Sequence, residues 1–289
     1  MKPAAFSYET PTTLDEARTL LSEGGGDKKL LAGGQSLIPL LNMRLARPDV
    51  VIDMNGVQGL SGILEEEEWI RIQALVRERQ AERSEVVRTG SPLLHEAIGW
   101  IGHPEIRNRG TIVGSVAHAD PASEIPAVLV ALDGEVAVLR GEEEIVIPAS
   151  DFFVTYLTTA LESADIVTEI RIPVSPRGSG SSFTEFARRV GDFAIVGVAS
   201  QITLEGGEVK EARLALSGVA DVPFRAREAE RILEEKGAGA VRVAARAVRD
   251  SVDPESDIHA TGDYRRHLAF ILTEKALGVS IERAGGRVS

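Results

Sequence analysis

A run of proline, glycine and serine, Pro173-Val174-Ser175-Pro176-Arg177-Gly178-Ser179-Gly180-Ser181-Ser182, cuts the chain into two unequal parts. Proline removes a backbone donor and glycine weakens either regular element, so this composition does not continue a helix or a central strand. It follows Val167-Thr168-Glu169-Ile170-Arg171-Ile172, whose alternation reads as a strand. The expectation is a linker or a long mobile loop, with the main boundary at 175/176. A chain of 289 residues is long enough for more than one domain.

Upstream of the break, Thr12 or Thr13 caps a helix with Asp15 and Glu16 in its first turn and Leu14, Ala17, Leu20 and Leu21 on one face. Gly24-Gly25-Gly26 ends it. Lys29 to Ala32 predicts a short strand, Ser36 to Leu45 a helix with Pro39 in its first turn, and Val50 to Asp53 a buried strand. A second lobe starts near Gly62. Its acidic run Glu65-Glu66-Glu67-Glu68, between Ile63-Leu64 and Trp69-Ile70-Arg71-Ile72, reads as a solvated hairpin tip, because like charges in a row repel. Ser91 to Ile101 has a helical pattern and Glu135 to Leu139 alternates like a strand. Downstream of the break stand three strand candidates, Phe183 to Arg189, Ile195 to Leu204 and Val209 to Leu216, with Gly206-Gly207 as a hairpin turn. Helices Phe224 to Lys236, Ala240 to Asp250 and Asp263 to Leu277 follow. Strands followed by helices indicate an α+β unit. The expected organisation is a first lobe over 1–58, a second over 59–175 and a C-terminal domain over 176–289.

Composition removes several function classes. Acidic residues number 44 against 32 basic ones, a net charge of −12, which argues against a nucleic-acid binder. No apolar run approaches the roughly 20 residues of a membrane span, and the start lacks the apolar core of a signal peptide, so the expected compartment is the cytoplasm. The chain has no cysteine, which removes disulfides, thiolate nucleophiles, cysteine zinc sites and cysteine-held iron–sulfur clusters. Redox chemistry would need a bound organic cofactor or another chain. His95, His103, His118, His259 and His267 show no metal-ligand spacing, so no metal site is expected.

Two segments can carry chemistry. In Leu30-Leu31-Ala32-Gly33-Gly34-Gln35-Ser36-Leu37 a strand enters a glycine turn and then a helix. Successive amides at such a turn form an anion-binding concavity, glycine lets the backbone approach a phosphate, and Ser36 adds a hydroxyl. Neither the Walker nor the Rossmann spacing is present. A plain helix-capping turn is the alternative. The second segment, Arg107 to Glu124, is long, weakly periodic and rich in small polar residues, which reads as an irregular functional loop or a structural Ω-like loop. Thr111 and Ser115 can donate to phosphate oxygens, and Asp120 or Glu124 can accept from sugar hydroxyls. Arg107, Arg109, Arg188 and Arg189 can reach phosphates or pair with carboxylates. His118 can contact a ligand or satisfy a loop carbonyl.

AGGQSL at Ala32–Leu37 with IGHPEIRNRGTIVGSVAHADPASE at Ile101–Glu124, DFFVTYLTTAL at Asp151–Leu161 and FARRVGDFAIVGVAS at Phe186–Ser200 resembles the FAD-binding medium subunit of the molybdenum hydroxylases, such as aerobic carbon monoxide dehydrogenase and xanthine dehydrogenase. The resemblance runs from Phe6 and Tyr8 to the helix at Asp263–Leu272. It implies the two-lobed FAD-binding fold of the vanillyl-alcohol-oxidase (PCMH) type, plus a C-terminal α+β domain built on a three-stranded antiparallel sheet. By position, Leu30, Leu31, Ala32, Gly33, Gly34, Gln35, Ser36 and Leu37 match the first FAD loop. Thr111, Gly114 and Ser115 match the second, with His118 beside it and Asp120 and Glu124 just beyond. Ile101 and Gly102 match positions near the cofactor, and Ile166 and Val167 match apolar residues near the flavin. Phe193 matches an aromatic over the isoalloxazine, or is a core residue. The resemblance also implies a small [2Fe–2S] subunit and a large molybdenum-cofactor subunit in a dimer of heterotrimers. Electrons would pass from the clusters through FAD to NAD, a quinone or dioxygen. The cofactor then carries the chemistry, and no catalytic side chain is expected.

Two departures stand out. Relatives usually carry adjacent glycines in the second loop, where this chain has Val113 before Gly114. Either that position is β-like or the loop is shifted and FAD binds more weakly. Many relatives also carry a lysine where this chain has Thr184-Glu185. Two rival readings stay open: a stand-alone flavoprotein reductase or oxidase, with His103 or Tyr156 as its only candidate groups, and an assembly subunit that has lost FAD.

Overall fold

The computed structural model describes residues 1–287. The first sheet is parallel. It is built from β1 (Ser7–Glu9), α1 (Leu14–Ser22), β2 (Lys28–Leu31), α2 (Leu37–Met43) and β3 (Val50–Asp53), with strand order β1-β3-β2. Thr13 is the cap of α1. Its hydroxyl accepts from the Glu16 amide at 3.2 Å, and the Glu16 carboxylate accepts from the Thr13 amide. A capping hydroxyl of this kind is worth about 1 kcal/mol. Ala17 and Leu21 seat the helix on the sheet. Helix α2 is shorter than expected because Arg44 turns left-handed, with φ 59°.

The second sheet is antiparallel. Its chain order is β4 (Ile63–Glu65), β5 (Trp69–Gln73), α3 (Glu78–Glu82), α4 (Glu85–Gly90), α5 (Pro92–Ile98), α6 (Pro104–Arg107), α7 (Ile112–His118), α8 (Glu124–Ala131), β6 (Glu135–Arg140), β7 (Glu143–Pro148), α9 (Ala149–Phe152), β8 (Phe153–Thr155), β9 (Thr158–Thr159) and β10 (Ile166–Pro173). Five of these strands pair in the order β4-β5-β10-β6-β7, and the acidic run is the exposed β4–β5 tip. The run Ile125 to Leu132 has no polar face, and α8 is buried on every side between the helices α5, α7 and α9 and the next sheet.

The third sheet is an antiparallel meander of β11 (Ser179–Phe186), β12 (Val196–Glu205), β13 (Glu208–Ser217) and β14 (Phe224–Arg225), followed by α10 (Arg227–Lys236), α11 (Val241–Ser251) and α12 (Gly262–Arg283). It has four strands where three were expected. Phe224 and Arg225, expected in a helix, extend after Pro223 and pair with Leu216 and Ala215. Two residues are too few to show alternation. Gly206 and Gly207 take φ 62° and 92°, the left-handed pair that a tight hairpin needs. Strand β12 is buried on both faces. Val196, Val198 and Ile202 meet the three helices, while Ala199 joins Phe183 and Ala215 in the core shared with the first two sheets.

The break is not the long mobile loop the composition suggests. Pro173 ends β10 and Ser179 already starts β11. Between them, the amides of Val174 and Ser175 donate to the carbonyls of Glu68 and Gly90, at 3.0 and 2.8 Å. Arginines lace the two parts together. Arg213 donates to the Leu132 carbonyl at 2.6 Å and Arg225 to that of Ala131 at 2.5 Å, capping the end of α8, and Arg283 pairs with Glu96 at 2.6 Å. No described helix is long and apolar enough to cross a membrane.

Candidate functional site

The two glycine segments, far apart in sequence, meet. A Cβ built on Gly33 would lie 2.5 Å from the Arg109 carbonyl oxygen and 2.7 Å from the Gly110 Cα. Gly33 is thus bare because the second segment lies against it, a different reason from the expected approach of a phosphate. Gly34 takes φ 75°, which turns the chain from β2 towards α2. None of the amides of Gly33, Gly34, Gln35 and Ser36 donates to an acceptor among the described residues. Four adjacent unused donors are what an anion with several oxygens takes up.

The second segment is more regular than expected. Residues 112–118 form helix α7, because Thr111 caps it and Ile112, Val113 and Val116 bury one face. The Thr111 hydroxyl accepts from the Gly114 amide at 3.1 Å. A Cβ on Gly114 would lie 2.4 Å from that oxygen, so glycine is needed there for the cap. Val113 is not β-like. It is a buried helical residue at negative φ, where a β-branched side chain carries no penalty of handedness. The amides of Gly110, Ile112, Gly114 and Ser115 are all used internally, and those of Thr111 and Val113 remain. The hydroxyl hydrogens of Thr111 and Ser115 add two donors.

The charges beside this junction are of both signs. Burial and the neighbouring Arg109 depress the Arg77 guanidinium below its ordinary value while Asp53 opposes, so positive charge is concentrated at the turns. Beneath the second turn, Glu78 is buried with Oε2 unpartnered, directly under Gly110. Burial, then Glu124, push its carboxyl up to about 7, against Arg107. Burial pushes Glu124 up to about 7 as well, and burial plus Glu124 push Glu185 up to about 8. Glu185 Oε2 and the Ser217 hydroxyl are both buried without a partner, on strands that flank Gly197 of β12. Glu185 is therefore a buried, protonatable acid. Asn55, Arg77 and Glu78 escaped the sequence reading. The only local signals were an Asp-Met-Asn turn after β3 and an arginine just before α3.

The other expected residues fall into three groups. Leu30 to Leu37 are all half-buried along the first turn. Ile101 is buried, and Gly102 takes φ 45° and lies under the 187–195 loop, since a Cβ on Gly191 would strike its carbonyl and the His103 ring. That loop presents Phe193, which is 63% exposed and therefore not a core residue. Ile166 and Val167 are packed into the core on central strand β10. Asp120 accepts from the Ala122 amide at 2.9 Å. His118 is half-buried at the end of α7, where burial lowers its pKa below the ordinary value despite Asp120, and its ring bonds no loop carbonyl among the described residues. Arg107 pairs with Glu82 and donates to the Ile101 carbonyl, so it is structural. Tyr156 is an exposed hairpin-tip residue, and His103 is exposed at the start of α6 with no capping bond from its side chain. No group of three or more acidic or imidazole side chains able to hold a metal ion occurs among the described residues.

Comparison with known proteins gives this geometry a context. Residues 4–175 match the family model described as the FAD binding domain in molybdopterin dehydrogenase. Residues 181–279 match the CO dehydrogenase flavoprotein C-terminal domain. The chain is 40% identical to the 6-hydroxypseudooxynicotine dehydrogenase complex subunit alpha of Paenarthrobacter nicotinovorans, over 98% of this chain and 97% of that one. It is 34% identical to the carbon monoxide dehydrogenase medium chain of Hydrogenophaga pseudoflava, over 98% and 99%. A solved carbon monoxide dehydrogenase from the same organism superposes with a TM-score of 0.95 at 36% identity, covering 98% of this chain and 99% of that chain. FAD fits the residues present, because the paired turns offer unused donors to a diphosphate. The chain belongs to the FAD-binding subunits of the molybdenum hydroxylase family, components of oxidoreductase complexes.

Proposed function

We propose that this chain is the electron-transfer subunit of a molybdenum hydroxylase, working in the cytoplasm between a small [2Fe–2S] subunit and a large molybdenum-cofactor subunit in a dimer of heterotrimers. The residues 1–58 and 59–175 act as two lobes of one cofactor-binding unit, and 176–289 as a C-terminal domain that flanks the flavin. Bound FAD would supply the redox chemistry, linking the partner clusters to NAD, a quinone or dioxygen as the external acceptor.

The observation that carries this reading is the contact of the Gly33 turn with Gly110 and the unused amides around it. Gly33, Gly34, Gln35 and Ser36 bind the diphosphate through main-chain N–H groups, joined by the hydroxyls of Thr111 and Ser115. Asp120 and Glu124 accept from sugar hydroxyls. Ile101, Gly102 and His118 would shape the remaining walls, with Ile166 and Val167 in the core of the same unit, and Phe193 would cover the flavin ring from its exposed loop. No side chain of this chain needs to act as acid, base or nucleophile. The substrate is set by the molybdenum subunit, consistent with relatives whose names carry different substrates.

Co-expression with the neighbouring reading frames and purification tests the reading. The expected product is a yellow complex of three subunits with one FAD per copy of this chain. Purification of this chain alone, colourless after exposure to excess FAD, contradicts it, and rapid substrate turnover by this chain alone contradicts the subunit role.

A further inference from the structure

The backs of both turns are held by one relay of side chains. Asn55, just beyond β3, donates from Nδ2 to the Ala32 carbonyl at 2.9 Å and also to Asp53. Its Oδ1 accepts from Arg77 Nη2 at 2.5 Å. Arg77 Nη1 donates to the Arg109 carbonyl, and Tyr8 anchors the far end by donating to Asp53. The relay therefore runs from β1 through the first turn to the second, crossing from one sheet to the other.

Its two carbonyl ends matter. A trans peptide is planar, so fixing the Ala32 oxygen aims the Gly33 N–H the opposite way, away from the relay. The Arg109 oxygen is the atom that already lies against Gly33. Residues 77 and 111 also form an antiparallel bridge, with the Glu78 amide on the Gly110 carbonyl at 2.9 Å and the Ile112 amide on the Val76 carbonyl at 3.2 Å. The segment carrying Arg77 is thus part of the floor of the second turn.

We infer that Arg77, acting through Asn55, is a positioning residue that fixes the separation of the two turns and hence the span over which the diphosphate is gripped. The inference rests on the FAD reading above. Two of the five N–H donors of Arg77, one on each terminal nitrogen, are given to acceptors behind the two turns. Its charge and its remaining donors could also serve a diphosphate directly, and this is the competing role that the test must separate.

The test titrates the full chain, freed of flavin, with FAD. Losing a charged hydrogen bond at this point predicts that Arg77→Met weakens binding by roughly 10- to 100-fold. Arg77→Lys keeps the charge but cannot reach both acceptors, and it is expected to lose nearly as much. Asn55→Ala is expected to lose a similar factor, with the double variant little worse than either single one, because both cut the same strut. Wild-type affinity in Arg77→Lys, or losses that multiply in the double variant, overturns the inference in favour of plain charge attraction. A wild-type chain that takes up no FAD overturns the cofactor reading instead. Hydrogen exchange in the cofactor-free chain then still decides the strut. The amides of Ile38 and Gly110, bonded to Gly34 and Ile106, are expected to exchange faster in Arg77→Met at unchanged global stability, and unchanged protection there overturns it.

Discussion

The two turns that meet at Gly33 solve one task in different ways. The first is half-buried and presents adjacent main-chain donors, with its conformation set by the positive φ of Gly34. The second is buried, helical, and has most of its amides used internally, so it contributes two hydroxyls and a firm surface. The first is a donor array that needs something to hold it in place. The second is the thing that holds it. Substitutions should therefore act on ligand affinity in the first turn and on stability as well as affinity in the second.

The sharpest way to break this contrast is Gly33→Val, which drives a side chain into the Arg109 carbonyl. Separating the turns should cost FAD affinity by about 100-fold or more, read by flavin content after gel filtration. Thr111→Val comes next. Losing the cap of α7 should lower stability by about 1 kcal/mol, seen in urea unfolding of the cofactor-free chain, together with weaker FAD binding. Ser115→Ala, which removes a hydroxyl and no cap, should weaken FAD by about tenfold or less and leave unfolding unchanged.

A pH series separates the turns further, since only the second has a titrating floor. Glu78 sits at about 7 when folded against 4.5 ordinarily, so the folded chain holds a proton that the unfolded chain releases. The contribution of Glu78 to stability should then be full below pH 4.5, fall as pH rises, and be lost once pH passes the folded value. Glu78→Gln should unfold like wild type in acid and be more stable by about 3 kcal/mol above neutrality. A wild-type profile in the variant would remove Glu78 from the account. The smallest effect is at Ala119, which ends α7 at φ 54°. Ala119→Gly should gain up to about 1 kcal/mol with no change in FAD affinity.

Local chemistry was readable from the chain. The strand–turn–helix around Gly33, the capping threonine of α1 and the strands-then-helices order of the C-terminal part all depend on neighbouring residues. What was missed depends on partners far away in sequence. Asn55, Arg77 and Arg109 are unremarkable until the sheets bring them together. Glu78 looks like one more solvated acid among 44 acidic residues, and only burial under Gly110 distinguishes it. The segment around Val113 looked irregular because small residues hide a single buried helical face. The break at 173–182 looked mobile because composition does not show that Glu68 and Gly90 tie it down.

The central claim is that both turns close on one FAD molecule. It is tested most directly by the backbone amide signals of the cofactor-free chain during titration with FAD. The account predicts that Gly33, Gly34, Gln35 and Ser36 shift together with Thr111 and Val113 at the same stoichiometric equivalence. Shifts confined to one turn, or saturation of the two turns at different FAD concentrations, would contradict it.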